Sequence, residues 1–154
     1  MMRKLKLLIL LVTLLNTAAH SAPKEIDWND LIPWTAVFSP GEVKFNKSLE
    51  DKEVKIPGYV LPLDLIGRDI TTFLLVPYIG ACIHVPAPAP NQIVYVEAEV
   101  PWQGLAWWEP VYVTGKIKIE NQNFEDLAVV GYEISASDIE YYRGATGTHG
   151  FFDW

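Results

Sequence analysis

Cys82, the chain's single cysteine, and His84 stand two residues apart in GACIHVPAPAPNQIVYV, residues 80–96. In an extended backbone, residues i and i+2 project to one face, about 6.5–7 Å apart. A thiolate and an imidazole so placed can share a metal ion, and zinc is the natural first choice. Zinc needs at least one more protein ligand. Hairpin connections would bring Glu120, Glu125 and Asp126 to the same end, together with Glu50, Asp51 and Glu53, while the tail offers His149 or Asp153. Copper is less attractive, because both methionines, Met1 and Met2, precede the expected mature start. The same pair also reads as a nucleophile and its base, with Asn91 or Gln92 orienting the imidazole. That Cys-dependent hydrolase requires a turn between the two residues, since strand neighbours at i+2 sit too far apart for a direct hydrogen bond. The plain alternative is a packed corner: a buried thiol beside a hydrogen-bonded histidine.

Pro86, Pro88 and Pro90 follow in alternation and specify a polyproline II rod of about 15 Å. The rod stiffens the loop or presents a docking surface. Asn91 and Gln92 are expected to satisfy loop backbone groups before the next strand starts. A second candidate site is the aromatic loop VPWQGLAWWEPV, where Trp102, Trp107 and Trp108 form a stacking platform for a sugar or peptide, or a lid over an apolar core. Gly-rich phosphate loops and serine-hydrolase elbows are absent from the sequence.

The elements that must position these residues are strands. Segments 54–63, 70–78, 93–100, 111–119 and 127–134 carry strand patterns. Val94, Val96, Ala98 and Val100 are expected on an inward face, as are Val111, Val113, Ile117 and Ile119. The 70–78 run is apolar on both faces and should lie deep. Asp27 is a plausible cap for a short helical turn over 25–34, SASDIEYY at 135–142 suggests a capped helix, and a tail follows. Connection lengths suit antiparallel hairpins. The expected fold is mostly β, a five-stranded antiparallel OB-like barrel, with a β-sandwich as the alternative.

Residues 1–21 have a basic start (Arg3, Lys4, Lys6), an apolar stretch from Leu7 to Leu15 and a small-residue end, the pattern of a signal peptide. The expected organisation is therefore 1–21 signal peptide and 22–154 a single domain, exported to the periplasm with no membrane span in the mature chain. Removing the leader lowers Lys+Arg from 12 to 9 against 19 Asp+Glu, moving the net charge from −7 to about −10. Such an acidic chain repels phosphate backbones, so nucleic acid is excluded as a partner.

The phrases IPGYVLPLD, FLLVPYIGACIHVPAPAPNQIVYV and VYVTGKIKI resemble an uncharacterised family of small exported bacterial proteins, catalogued as domain of unknown function 3299. The likeness runs from about Trp28 to Tyr142, with CIHVPAPAPNQ its most specific part. It implies a periplasmic domain with Cys82, His84, Pro86, Pro88, Asn91 and Gln92 on the signature segment. It brings no activity with it. Some relatives accompany ABC-transporter components in metal-responsive gene groups, which implies a transporter partner. The expectation is a non-enzymatic periplasmic accessory or binding protein that handles zinc. An aromatic-platform binding module is the alternative, and a hydrolase the third.

Overall fold

Segments of alternating or continuous apolar side chains give five long strands, and Val54, Ile56, Val94, Val96, Val111, Val113 and Ile117 on their marked faces are fully buried. The computed structural model describes residues 22–38, 41–63, 69–81, 88–104, 109–124 and 128–142, so the expected leader lies outside it. The strands are β1 (Lys24–Glu25), β2 (Lys52–Pro62), β3 (Asp69–Val76), β4 (Val94–Gln103), β5 (Pro110–Phe124) and β6 (Ala128–Tyr141). Three 3-10 helices join them: η1 (Trp34–Phe38), η2 (Lys47–Leu49) and η3 (Pro90–Gln92).

The strands form one mixed six-stranded sheet in the order β1-β2-β3-β4-β6-β5, with β2 also paired to β5. The antiparallel meander expected from connection lengths is corrected here. β1 runs parallel to β2, and β4 runs parallel to β6. β4 and β5 do not form a hairpin: β5 crosses over to pair with β2 and β6. β2 divides its length between partners, pairing β5 from Lys52 to Tyr59 and β3 from Tyr59 to Pro62. Pro57 and Gly58 lie just before that change of partner. A Cβ at Gly58 would fall 2.6 Å from Leu75 Cγ, so the close approach of β2 to β3 requires glycine there.

Two further expectations need correction. Residues 135–142 are not a helix, because β6 continues to Tyr141 and pairs Val111 with Tyr141 and Val113 with Ile139 on β5. Cross-strand partners outweigh local helix preference in this stretch. Val100 points outward and is 73% exposed, while Val94 and Val96 are fully buried. The β3–β4 register shifts between Ile70 and Thr72, which disturbs the alternation after Ala98.

The main core gathers Val54, Ile56, Phe73, Val96, Val113 and Ile134 with neighbours from every long strand. Ile26, Trp28 and Leu31 from the N-terminal segment join it, as does Leu49 of η2. The turn that delivers Trp28 forms because Asp27 Oδ1 accepts from the Asn29 and Asp30 backbone N–H groups at 2.7 and 3.2 Å. Trp28 Nε1 then donates to Pro57 O at 2.8 Å. A second cluster, including Tyr59, Leu61, Leu74, Val76, Ile93 and Val130, packs separately. β3 therefore supplies Phe73 and Leu75 to one cluster and Leu74 and Val76 to the other, the two-faced burial its apolar run implied.

Candidate functional site

The loop that carries the signature residues leaves β3 through Ala81, which is fully buried, and returns through Pro88 into η3. Pro90 opens that 3-10 helix, where its missing N–H costs nothing. Asn91 is 7% exposed, the one buried polar residue among the described residues. Its Nδ2 donates to Lys44 O at 2.9 Å. Gln92 Nε2 donates to Trp28 O at 2.9 Å and to Asn91 O at 2.8 Å. Asn91 and Gln92 thus clamp two remote segments, one at Trp28 and one at Lys44.

The Lys44 segment is held from its other side as well. Asn46 N donates to the Tyr132 hydroxyl at 2.6 Å, and that hydroxyl donates to Leu31 O at 2.7 Å. Asn46 Nδ2 donates to Asp30 O at 2.7 Å, while its Oδ1 accepts from Ser48 N and Oγ at 3.1 and 2.7 Å. The Phe45 ring stands edge-on to Tyr132 at 5.5 Å, lying where Gly131 leaves room for it. Burial pushes the Tyr132 phenol up to about 12.

These constraints shape an open groove of about 680 Å³. Pro33 and Trp34, Lys44 to Lys47 ahead of and into η2, and Ile119 of β5 are among the residues that line it. Trp34 is 77% exposed, unusual for an indole. The lining exposes far more apolar than polar surface, and Lys44 and Lys47 supply its charge. Lys44 Nζ lies 3.6 Å from Glu42. No motif or strand pattern in the sequence marks this site. The available signal was an indole directly after Pro33, outside any apolar periodicity.

Of the metal candidates, Cys82, His84, Glu125, Asp126, His149 and Asp153 lie outside the described residues, as do Pro86, Trp107 and Trp108. Glu120 sits exposed on β5, beside Glu133 of β6. Burial raises the Glu133 carboxyl above its ordinary value, and the charges of Glu120 and Glu97 add to that, against Lys118. Gln122 Nε2 donates to Glu133 Oε2 at 2.7 Å. Glu50 Oε2 accepts from Ile119 N at 3.1 Å. Among the described residues, no group of three or more His, Cys, Asp and Glu is placed to hold a metal. Trp102 belongs to the main core, 8% exposed and with its ring 5.3 Å from Tyr141, rather than to an open platform. Among the described residues, no helix is long and apolar enough to cross a membrane.

The structure is similar to that of a DUF3299 family protein from Pseudomonas aeruginosa PAO1, with a TM-score of 0.68 and 36% sequence identity. That match covers 79% of this chain and 97% of the other. A weaker likeness, TM-score 0.45 and 16% identity, joins 82% of this chain to 22% of a candidate aspartyl-tRNA synthetase from Leishmania major Friedlin. No curated protein matches the chain. The family model described as "Protein of unknown function (DUF3299)" matches residues 28–141. On that match and the likeness to the Pseudomonas structure, the chain belongs to the DUF3299 family.

Proposed function

We propose that this protein is a non-enzymatic, exported binding or accessory module on an OB-type β-barrel, and that it works through the groove beside Trp34. The pairing of β2 with both β3 and β5 supports the barrel reading, because it joins β5, the last strand of the order, back to β2. The observation that carries the binding reading is the exposed Trp34 indole over an apolar groove whose frame is held by the Asn46 and Tyr132 hydrogen bonds. Exposed aromatic anchors on a preorganised frame are how binding surfaces concentrate affinity. The test is a photo-crosslinking residue placed at Thr35 or, as a control, at Ser137, in cells that export the protein. A discrete adduct from Thr35 alone is expected. Equal labelling from both positions, or none from either, overturns the reading.

Zinc handling beside an ABC transporter is the second reading. What supports it is the sequence spacing of Cys82 and His84, together with the fixed positions of the described residues on either side, buried Ala81 and the hydrogen-bonded Asn91. A bound ion would raise the melting temperature of the reduced protein as zinc is added. Cys82→Ser and His84→Ala would each abolish that rise. An unchanged wild-type melting temperature removes this reading and leaves the groove reading intact.

A further inference from the structure

We infer that the Trp34 groove takes a short extended peptide of a partner protein, one that presents an apolar side chain next to a carboxylate. This rests on the binding-module reading above and names its ligand class. Charge is the first argument. The whole chain carries a net charge of −7, yet the charged residues among those lining the groove are two lysines, Lys44 and Lys47. An anionic group is attracted locally to a molecule that otherwise repels it. Lys44 already lies 3.6 Å from Glu42, so an incoming carboxylate meets the exposed Lys47 first.

The second argument is surface chemistry. Pro33, Trp34, Phe45 and Ile119 make an apolar lining in which a leucine- or phenylalanine-sized side chain loses water contact. A volume of about 680 Å³ falls within the range of pockets that enclose a few residues of ligand. Thr35, Asn46 and Ser48 are polar residues among the apolar lining, a mixture that matches a peptide backbone better than an acyl chain. The third argument is rigidity. Asn46 spends its side chain on Asp30 and Ser48, and its backbone N–H on Tyr132, so the lining loses little freedom when a ligand arrives.

The experiment measures fluorescence anisotropy of a labelled Asp-Phe-Asp-Leu peptide with the mature protein, beside its Asn-Phe-Asn-Leu counterpart and labelled oleate. The acidic peptide should bind more tightly than the amide version, and the difference should shrink in high salt. Trp34→Ala should weaken binding about tenfold, and Lys47→Gln severalfold with a flatter salt dependence. Lys116→Gln, on the exposed side of β5, should change neither. Trp34 and Lys47 are both exposed, and unchanged melting temperatures would exclude unfolding as the cause of any loss. Equal binding of the two peptides, or binding unaffected by either groove substitution, overturns the inference, as does binding of oleate alone. A Thr35 crosslink obtained alongside any of these failures still supports a binding module, so the two readings fail separately.

Discussion

The Tyr132 hydroxyl joins three segments: it accepts from Asn46 N and donates to Leu31 O, from within the core. Tyr132→Phe leaves both backbone groups without that partner and should cost about 1–3 kcal/mol in chemical denaturation. The same phenol sets an alkaline limit. Its ordinary value of 10.0 is pushed up to about 12 by burial, so the folded chain keeps a proton that the unfolded chain releases. The stabilisation is complete below pH 10.0 and is lost as pH rises toward about 12. Wild-type stability should fall across that window more steeply than that of Tyr132→Phe. Glu133 follows the same rule at the acid end. Its carboxyl is raised mainly by burial, so the charged form is strained once pH passes its folded value. Glu133→Gln keeps the oxygen that accepts from Gln122 and should raise the melting temperature at neutral pH, by no more than about 2 °C. That gain should vanish below the ordinary value of 4.5, where Glu133 itself is protonated. A lower melting temperature for the variant at neutral pH would contradict this account.

At the scale of elements, β6 carries one more residue than β5 at the register shift between Thr114 and Gly115. A Cβ on Gly115 would fall 2.2 Å from Ser135 O and 2.8 Å from Ala136 Cα, both backbone atoms that cannot turn aside. Gly115→Ala should therefore cost about 1–3 kcal/mol or more, and hydrogen exchange should speed up along β5 and β6. Uniform protection in the variant would show that the bulge adapts. Much of this architecture could be read from residues. The alternation of Val111, Val113 and Ile117 against Lys116 and Lys118 marked β5. The parallel β4–β6 pair could not be read, because strand patterns specify faces and not partners. The end of β6 was missed for a related reason. Ser135, Ser137 and Asp138 favour caps and turns locally, and only the cross-strand partners on β5 keep them extended. The groove escaped notice because Trp34, Phe45 and Lys47 belong to no repeating pattern. Turns and buried polar clamps bring them together, and those depend on the tertiary fold.

Over the whole molecule, the N-terminal segment closes the core. Trp28 is 2% exposed, bonds Pro57 O through its indole and offers its own carbonyl to Gln92. Trp28→Ala should cost about 3–5 kcal/mol and loosen η3 and the groove together, a coupling visible as weaker crosslinking from Thr35. Unchanged labelling in a folded Trp28→Ala variant would separate the two regions. The pairing of β2 with β5 also bears on the rate of assembly. Its partners lie more than fifty residues apart along the chain, from Tyr59 with Pro110 to Lys52 with Ile117. Contacts of that separation place folding in a regime of roughly milliseconds to seconds. Before the core closes, β3 carries Phe73, Leu74, Leu75 and Val76 apolar on both faces, a ready nucleus for association between chains. Refolding yield should fall as protein concentration rises while the folding rate constant stays fixed. The late meeting of two distant strands leaves the chain exposed to its own neighbours for as long as it takes.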